Sequence, residues 1–386
     1  MRIGINLLPW VPNRRGGLET YDRQLLRAFA ESATDDRFVL FLSREAVGEL
    51  RLGERFEEIA CPVRSRYRPA RALWEQFFFG AWVARGDARA RAGVEVLFCP
   101  HGLAPARCAV PVVPTVHDLQ VYDLPGNMPA SKRAYLYRRL PAGARAAARI
   151  IAISEFTKQS VVRNLGAPAE KITVIHEAAG PEFFPRPAEE TAATAARHGV
   201  AGPYFFCPAT SHKHKNLDRL VRAFDALKTE RGGAEQLVLT GLPGSGEAEL
   251  REALRTARHG GEIHHLGRVD FAELPALYSG ALALVFPSSY EGFGLPVLEA
   301  MACGCPVACS AAASLPEVAG EAALLFDGGS EGEIAAVLQR LREEPALRES
   351  LRERGLARAS RFTWAETARQ TLEVLREAGR LTAGRL

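Results

Sequence analysis

The sequence predicts two doubly wound α/β domains in tandem, each a parallel sheet flanked by helices. Three observations carry this reading. Short apolar runs alternate with longer helix-like segments from end to end, which is the pattern of βαβ units. At 386 residues the chain exceeds a comfortable single core, since domains usually run to about 100–200 residues. The alternation breaks once, in "PEFFPRPAEETAATAARHGVAGP" at 181–203, where Pro, Ala and Gly displace the periodic pattern, and then restarts. The predicted division is residues 1–190, residues 199–365, and a closing helix at 366–386 that packs back toward the first domain.

In the first half the strand candidates are "RIGIN", "FVLFLS", "VEVLFC", "VPTVHD", "RIIAIS" and "KITVIH", with helical segments such as "LETYDRQLLRAFAES" and "PASKRAYLYRRLPAGARAAA" between them. The second half offers "YFFCPA", "EQLVLTG", "EIHHLG", "ALALVFPS", "PVACS" and "AALLF", followed by an Arg/Glu/Leu-rich helical tail from Ser330. Sheets wound in this way bind ligands outside the carboxyl ends of their strands, so two such domains are expected to face each other across a cleft.

Hydrophobic residues at 47% and charged ones at 24% are ordinary for a globular protein. The net charge of +4 conceals an asymmetry, with 28 basic against 21 acidic residues up to position 198 and 21 against 24 beyond it. A basic half suits an anionic partner such as a diphosphate or a phospholipid surface. The charge is too diffuse for a nucleic-acid stripe, and no nucleic-acid partner is expected. The seven cysteines form no CxxC pair and mostly sit in apolar runs, which predicts free thiols in a reducing compartment rather than disulfides or a zinc site. "MRIGINLLPW" enters a strand directly, without a signal-peptide h-region, and no apolar run approaches the roughly 20 residues of a membrane span. A cytoplasmic protein is expected. Residues 64–93 carry seven arginines, two acids and six aromatics, an amphipathic composition that suits either packing on the sheet or contact with the inner face of an anionic membrane.

The chemistry concentrates in "SSYEGFGLPVLEAMACGCPV", Ser288 to Val307. "ALALVFPSS" reads as a buried strand and "LPVLEAMACG" as a helix with Pro296 at an early position, so "YEGFG" is a strand-to-helix loop. Glycines there let the backbone approach a ligand closely, and the free N–H groups of the first helical turn favour an anion such as phosphate. Glu299, near the start of the helix, can accept hydrogen bonds from vicinal hydroxyls, or else simply support the helix dipole.

The frame Glu291-x7-Glu299 in "EGFGLPVLEAMACGCPV" resembles the signature of the large fourth family of retaining glycosyltransferases, the group 1 enzymes, and other segments match in the expected order along most of the chain. The resemblance implies a GT-B fold of two Rossmann-like domains facing an inter-domain cleft. It implies that Glu291 contacts the donor sugar, that Gly292, Phe293, Gly294 and Leu295 hold the diphosphate through their amides, and that Glu299 binds the ribose. In "CPATSHKHKN", Lys215 is implied to neutralise the leaving diphosphate. Relatives often have an arginine at the position of Thr210, and His212, Lys213 or His214 is left to supply that second cation. The "T-x-H-D-L" frame is similar to that of the family's acceptor-domain histidine, which marks His117 as catalytic and Asp118 as its orienter, although a lone histidine there also reads as a structural hydrogen-bonder. Gly16 and Gly17 resemble a loop closing over the diphosphate, or form an ordinary turn. His101 either lines the acceptor side or packs in the core. Ser154 reads as a helix cap, and "GLPGSGEAEL" as a glycine-rich segment without phosphate-binding spacing.

The implied activity is retaining transfer of a sugar from a nucleotide-diphosphate donor, with a lean toward GDP-mannose, to a hydroxyl of a glycan or lipid-linked acceptor. No cofactor and no metal are expected, since no D-x-D motif stands at a strand end. A nucleotide-sugar epimerase or hydrolase, and a non-catalytic nucleotide-sugar-binding subunit, remain rivals at this point.

Overall fold

The computed structural model describes residues 1–11, 17–85, 93–102, 104, 105 and 107–383. Chain contacts divide it into two units, Met1–Glu177 with Trp364–Leu386, and Ala178–Thr363. The division thus falls upstream of the Pro- and Ala-rich break predicted at 181–203. Part of that segment forms the helix Ala188–Arg197, which buries Thr191, Thr194 and Ala195 in the second unit. The last helix, Trp364–Ala383, belongs to the first unit, where Arg376 meets Asp36 at 2.7 Å.

Among the described residues the first unit holds seven parallel strands: β1 (Arg2–Asn6), β2 (Arg37–Leu42), β3 (Phe56–Ala60), β4 (Val96–Cys99), β5 (Val112–Val116), β6 (Ile150–Ala152) and β7 (Ile172–Val174). Their spatial order is β3-β2-β1-β4-β5-β6-β7. The strand β3, "FEEIA", has no counterpart among the predicted strands. Two glutamates interrupt its apolar character, and it lies at the sheet edge, where charge is tolerated and discourages further pairing.

The second unit repeats the plan with β8 (Tyr204–Pro208), β9 (Gln236–Thr240), β10 (Ile263–His265), β11 (Ala283–Phe286), β12 (Val307–Ser310) and β13 (Ala323–Phe326), ordered β10-β9-β8-β11-β12-β13. The inner strands β8, β11 and β12 are continuous apolar runs because helices cover both faces of the sheet. The helix Leu217–Arg231 buries Leu217, Leu220, Val221, Phe224 and Leu227, an i, i+3, i+4, i+7 stripe, and each such side chain contributes about 2 kcal/mol by leaving water.

Strand order reverses between β1 and β4 in the first sheet and between β8 and β11 in the second. At such a reversal the flanking loops diverge and leave a crevice at the carboxyl edge. The loops after β8 and β11 carry Lys215 and Glu291, and those after β4 and β5 carry His101 and His117. Each predicted group therefore lies at or beside a switch point of its own sheet.

Candidate active site

In the second unit the loop after β8 turns through Asn216, whose φ of 52° lies in the left-handed region that asparagine tolerates. Its Nδ2 donates to the Pro287 carbonyl at 2.9 Å, and the Ser289 amide donates to the His214 carbonyl at 2.8 Å. These bonds tie the two switch-point loops together. Lys215 Nζ then forms an ion pair with Glu291 Oε1, both side chains being largely buried, and lies 5.4 Å from the Phe286 ring centre.

The Gly292–Leu295 turn is fixed from beneath by Ser314, whose Oγ donates to the Phe293 carbonyl at 2.7 Å and the Glu291 carbonyl at 3.0 Å. Gly294 has φ 111°, and a Cβ there would come within 2.7 Å of Leu315 Cδ2, so only glycine fits. Phe293 is buried, with its ring edge-on to Phe362 at 6.0 Å. The helix Leu295–Ala302 follows at once, with Pro296 at its start.

Glu299 sits in the second turn of this helix rather than the first, and its side chain is buried. Tyr278 Oη donates to Glu299 Oε2 at 2.8 Å. Burial raises the Glu299 pKa from the ordinary 4.5 to about 7. The Tyr278 hydrogen bond opposes this rise, and the charge of Glu182 adds to it.

The neighbours of Lys215 behave differently. Lys213 is 60% exposed and pairs with Glu249 at 2.7 Å. His212 and His214 stack at 5.7 Å, and His212 Nδ1 accepts from the Ser245 amide at 3.2 Å. Burial first, then the Lys215 and His212 charges, depress His214 to about 3, while burial and Lys215 lower His212. Thr210 is half-buried, and its carbonyl accepts from the His212 amide at 2.7 Å. The imidazoles are therefore held toward neutrality and Lys213 is engaged by Glu249. Lys215 is the cation of this loop that meets the Glu291 side chain.

In the first unit His117 does not use Asp118. Asp118 is exposed and its Oδ1 accepts from the Gln120 amide at 3.0 Å, because a carboxylate two residues before a helix start is drawn to that free N–H. The orienting group is Glu177, whose Oε1 lies 3.0 Å from His117 Nδ1. His101 Nε2 lies 2.8 Å from Asp22 Oδ2, a polar pairing rather than core packing. Gly17 begins the helix Gly17–Glu31, and Gly16 falls outside the described residues. Ser154 Oγ accepts from the Thr157 amide at 3.1 Å, capping the helix Glu155–Leu165 as its sequence predicted. Among the described residues no cluster of His, Cys, Asp or Glu has the geometry of a metal site, all seven cysteines are free, and no helix is long and apolar enough to cross a membrane.

Tyr278, Ser314, Glu177 and Asp22 carry no motif. The one signal for Glu177 was an acid just past the strand "ITV", and the 60 residues separating it from His117 hide the pairing.

O-antigen chain mannosyltransferase B of Escherichia coli is 33% identical to this chain over 276 residues, which cover 71% of each protein. Residues 195–358 match the family described as Glycosyl transferases group 1, and residues 15–182 match Glycosyltransferase Family 4. The chain belongs to the group 1 glycosyltransferases. The serotype-specific mannosyltransferase WbdA of E. coli is 30% identical over 58% of this chain but only 28% of its own length, so the chain spans less than a third of that relative. Among solved structures, Anabaena HepE in complex with UDP and glucose matches 98% of this chain and 100% of its own with a TM-score of 0.72 at 17% identity. That likeness is one of fold, and with the two parallel-sheet α/β units it gives this glycosyltransferase the GT-B fold.

Proposed function

We propose that this glycosyltransferase moves mannose, with retention, from GDP-mannose to a hydroxyl of a growing glycan or lipid-linked acceptor, in the cytoplasm and without a metal ion. The observation that carries the reading is the Lys215–Glu291 pair set against the Gly292–Leu295 turn, with Glu299 buried beyond it. A nucleotide sugar has a sugar at one end, a ribose at the other and a dianionic diphosphate between them. Glu291 and Glu299 suit the two polyol ends, and Lys215 with the turn's amides suits the diphosphate. The mannosyl lean is supported by the E. coli relatives, both of them named mannosyltransferases.

Departure of a nucleoside diphosphate builds negative charge on the β-phosphate, and Lys215 is a fixed cation that answers it without a metal. In front-face retention the acceptor oxygen bonds to the anomeric carbon on the side from which the phosphate leaves. The hydroxyl proton passes to the departing phosphate oxygen, so no enzymic nucleophile is needed. On the first unit, Tyr67, Leu73, Phe77 and Phe78 are exposed within "YRPARALWEQFF", with Phe77 and Phe78 at 62% each, and Arg66 lies 4.9 Å from the Tyr67 ring centre. Exposed rings beside arginines suit the headgroup region of an anionic bilayer, where a lipid-linked acceptor resides.

The test is transfer from radiolabelled GDP-mannose, UDP-glucose and related donors to candidate acceptors in the presence of EDTA, with the anomeric configuration of the product read by NMR. Chelator-resistant α-mannosyl transfer supports the reading. A β-linked product or strict metal dependence overturns it.

A further inference from the structure

His117 leaves the end of β5 with both ring nitrogens engaged. Nε2 lies 2.7 Å from the Pro100 carbonyl oxygen and Nδ1 lies 3.0 Å from Glu177 Oε1. A peptide carbonyl has no proton to give, so Nε2 carries the N–H that fills the first contact. Between a carboxylate and an imidazole the shared proton belongs on the imidazole, whose ordinary pKa is about 2 units higher. Nδ1 therefore carries the second proton.

The surroundings agree. Glu177 is buried, which sharpens its attraction for a cation. From the helix Gly17–Glu31, Asp22 adds a further negative charge, and the Tyr21 ring meets the imidazole at right angles, 4.7 Å between centres. Tyr21 Oη lies 3.3 Å from Thr115 Oγ1, and burial keeps the phenol in its neutral form. His101, at the end of β4, is turned to Asp22. From the helix Glu155–Leu165, Thr157 Oγ1 donates to the His117 backbone carbonyl at 3.4 Å. Burial alone would lower an imidazole's pKa, but the Glu177 hydrogen bond and charge, the Pro100 carbonyl and the Asp22 charge raise His117 above the ordinary value.

We propose that Glu177 is a positioning residue that keeps His117 doubly protonated, a fixed imidazolium at the carboxyl edge of the first sheet. In that state neither nitrogen has a lone pair, so His117 does not act as a base. What it presents at that edge is a positive charge held against the Glu177 carboxylate. The kinetic part of this inference rests on the sugar transfer proposed above, whereas the protonation state does not.

The experiment pairs nitrogen-15 NMR of the histidines, with His117 assigned by its absence in His117→Gln, with pH profiles of kcat for wild type, Glu177→Gln and Glu177→Asp. The shifts are expected to show both His117 nitrogens protonated well above the ordinary midpoint of about 6.5 in wild type. In Glu177→Gln the titration should move down by about one pH unit or more, and Glu177→Asp should restore it in part. On the kinetic side, kcat of Glu177→Gln should fall as pH rises through the new midpoint, a limb that in wild type lies at higher pH. A Glu177 that served only the fold would lower the melting temperature of the variant without moving either titration. A neutral His117 tautomer in the wild-type protein at pH 7 overturns the proposal even if no sugar transfer is ever observed. An unmoved His117 midpoint in Glu177→Gln, or a kcat profile parallel to wild type, overturns it as well.

Discussion

Tyr278 donates its hydroxyl to Glu299 across 2.8 Å, with both side chains buried against the second sheet. One hydroxyl is thin support for a buried carboxylate, and the Glu299 pKa of about 7 is the consequence. A ligand bringing two ribose hydroxyls to the same oxygens supplies the missing donors and favours the ionised form. Binding of the nucleoside diphosphate should therefore release a proton. Affinity is expected to rise with pH up to about 7 and to level off above it, a slope that calorimetry in buffers of different ionisation enthalpy would detect and that Glu299→Gln should abolish.

The same group sets a stability trend in the free protein. Its folded pKa lies above the unfolded value, so the folded state binds the extra proton between 4.5 and about 7. The stabilisation is fully present below 4.5 and is lost as pH rises through 7. Denaturant midpoints across that window should decline more steeply in wild type than in Glu299→Gln.

Lys215→Ala removes the cation proposed to answer the leaving group and leaves Glu291 without its ion-pair partner. The expected result is a fall in kcat of about a hundredfold or more, by analogy with the loss of one donor to a developing oxyanion. Steady-state kinetics check this, and Glu291→Gln in the same background should relieve the stability cost without restoring kcat.

Gly294→Ala imposes a side chain on a φ of 111° and drives its Cβ into Leu315. Strain of this kind costs about 1–3 kcal/mol. The melting temperature should drop, and nucleotide affinity should fall further than in Gly261→Ala, where nothing within 4 Å meets an added Cβ.

Replacing Phe77 and Phe78 together with serine deletes two exposed rings and no core contact of that size. Co-sedimentation with phosphatidylglycerol vesicles should weaken while turnover on a soluble acceptor stays close to wild type. Unchanged sedimentation would contradict a membrane contact at this helix.

How much of this was legible beforehand differs from element to element. The inner strands were plain because "FVLFLS", "YFFCPA" and "ALALVFPS" are buried on both faces and read as nearly unbroken apolar runs. The edge strand "FEEIA" was hidden because an edge has one wet side. In the second unit Glu291 and Glu299 were legible as candidates through a local motif, since the Gly292–Leu295 turn needs its glycines and its helix start within a few residues, and Lys215 through the separate segment "CPATSHKHKN". Tyr278 was not, because its partner lies 21 residues on and nothing local distinguishes it from a core tyrosine. Asp118 illustrates the reverse error. Adjacency to His117 suggested a pairing, yet consecutive residues after a strand point apart, and a free helix-start amide claimed the carboxylate first.

The central claim is that the second unit holds a nucleoside diphosphate through Lys215, the Gly292–Leu295 turn and Glu299 without a metal. Its most direct test is a thermal-shift and calorimetric titration of the purified protein with GDP, UDP, ADP and dTDP, with and without EDTA, in wild type, Lys215→Ala and Glu299→Gln. The account predicts that one nucleotide at a hundred times its dissociation constant stabilises wild type by about 2.7 kcal/mol, unaffected by EDTA, and binds both variants more weakly. Binding of equal strength in all three proteins, or no binding of any nucleotide to wild type, would contradict it.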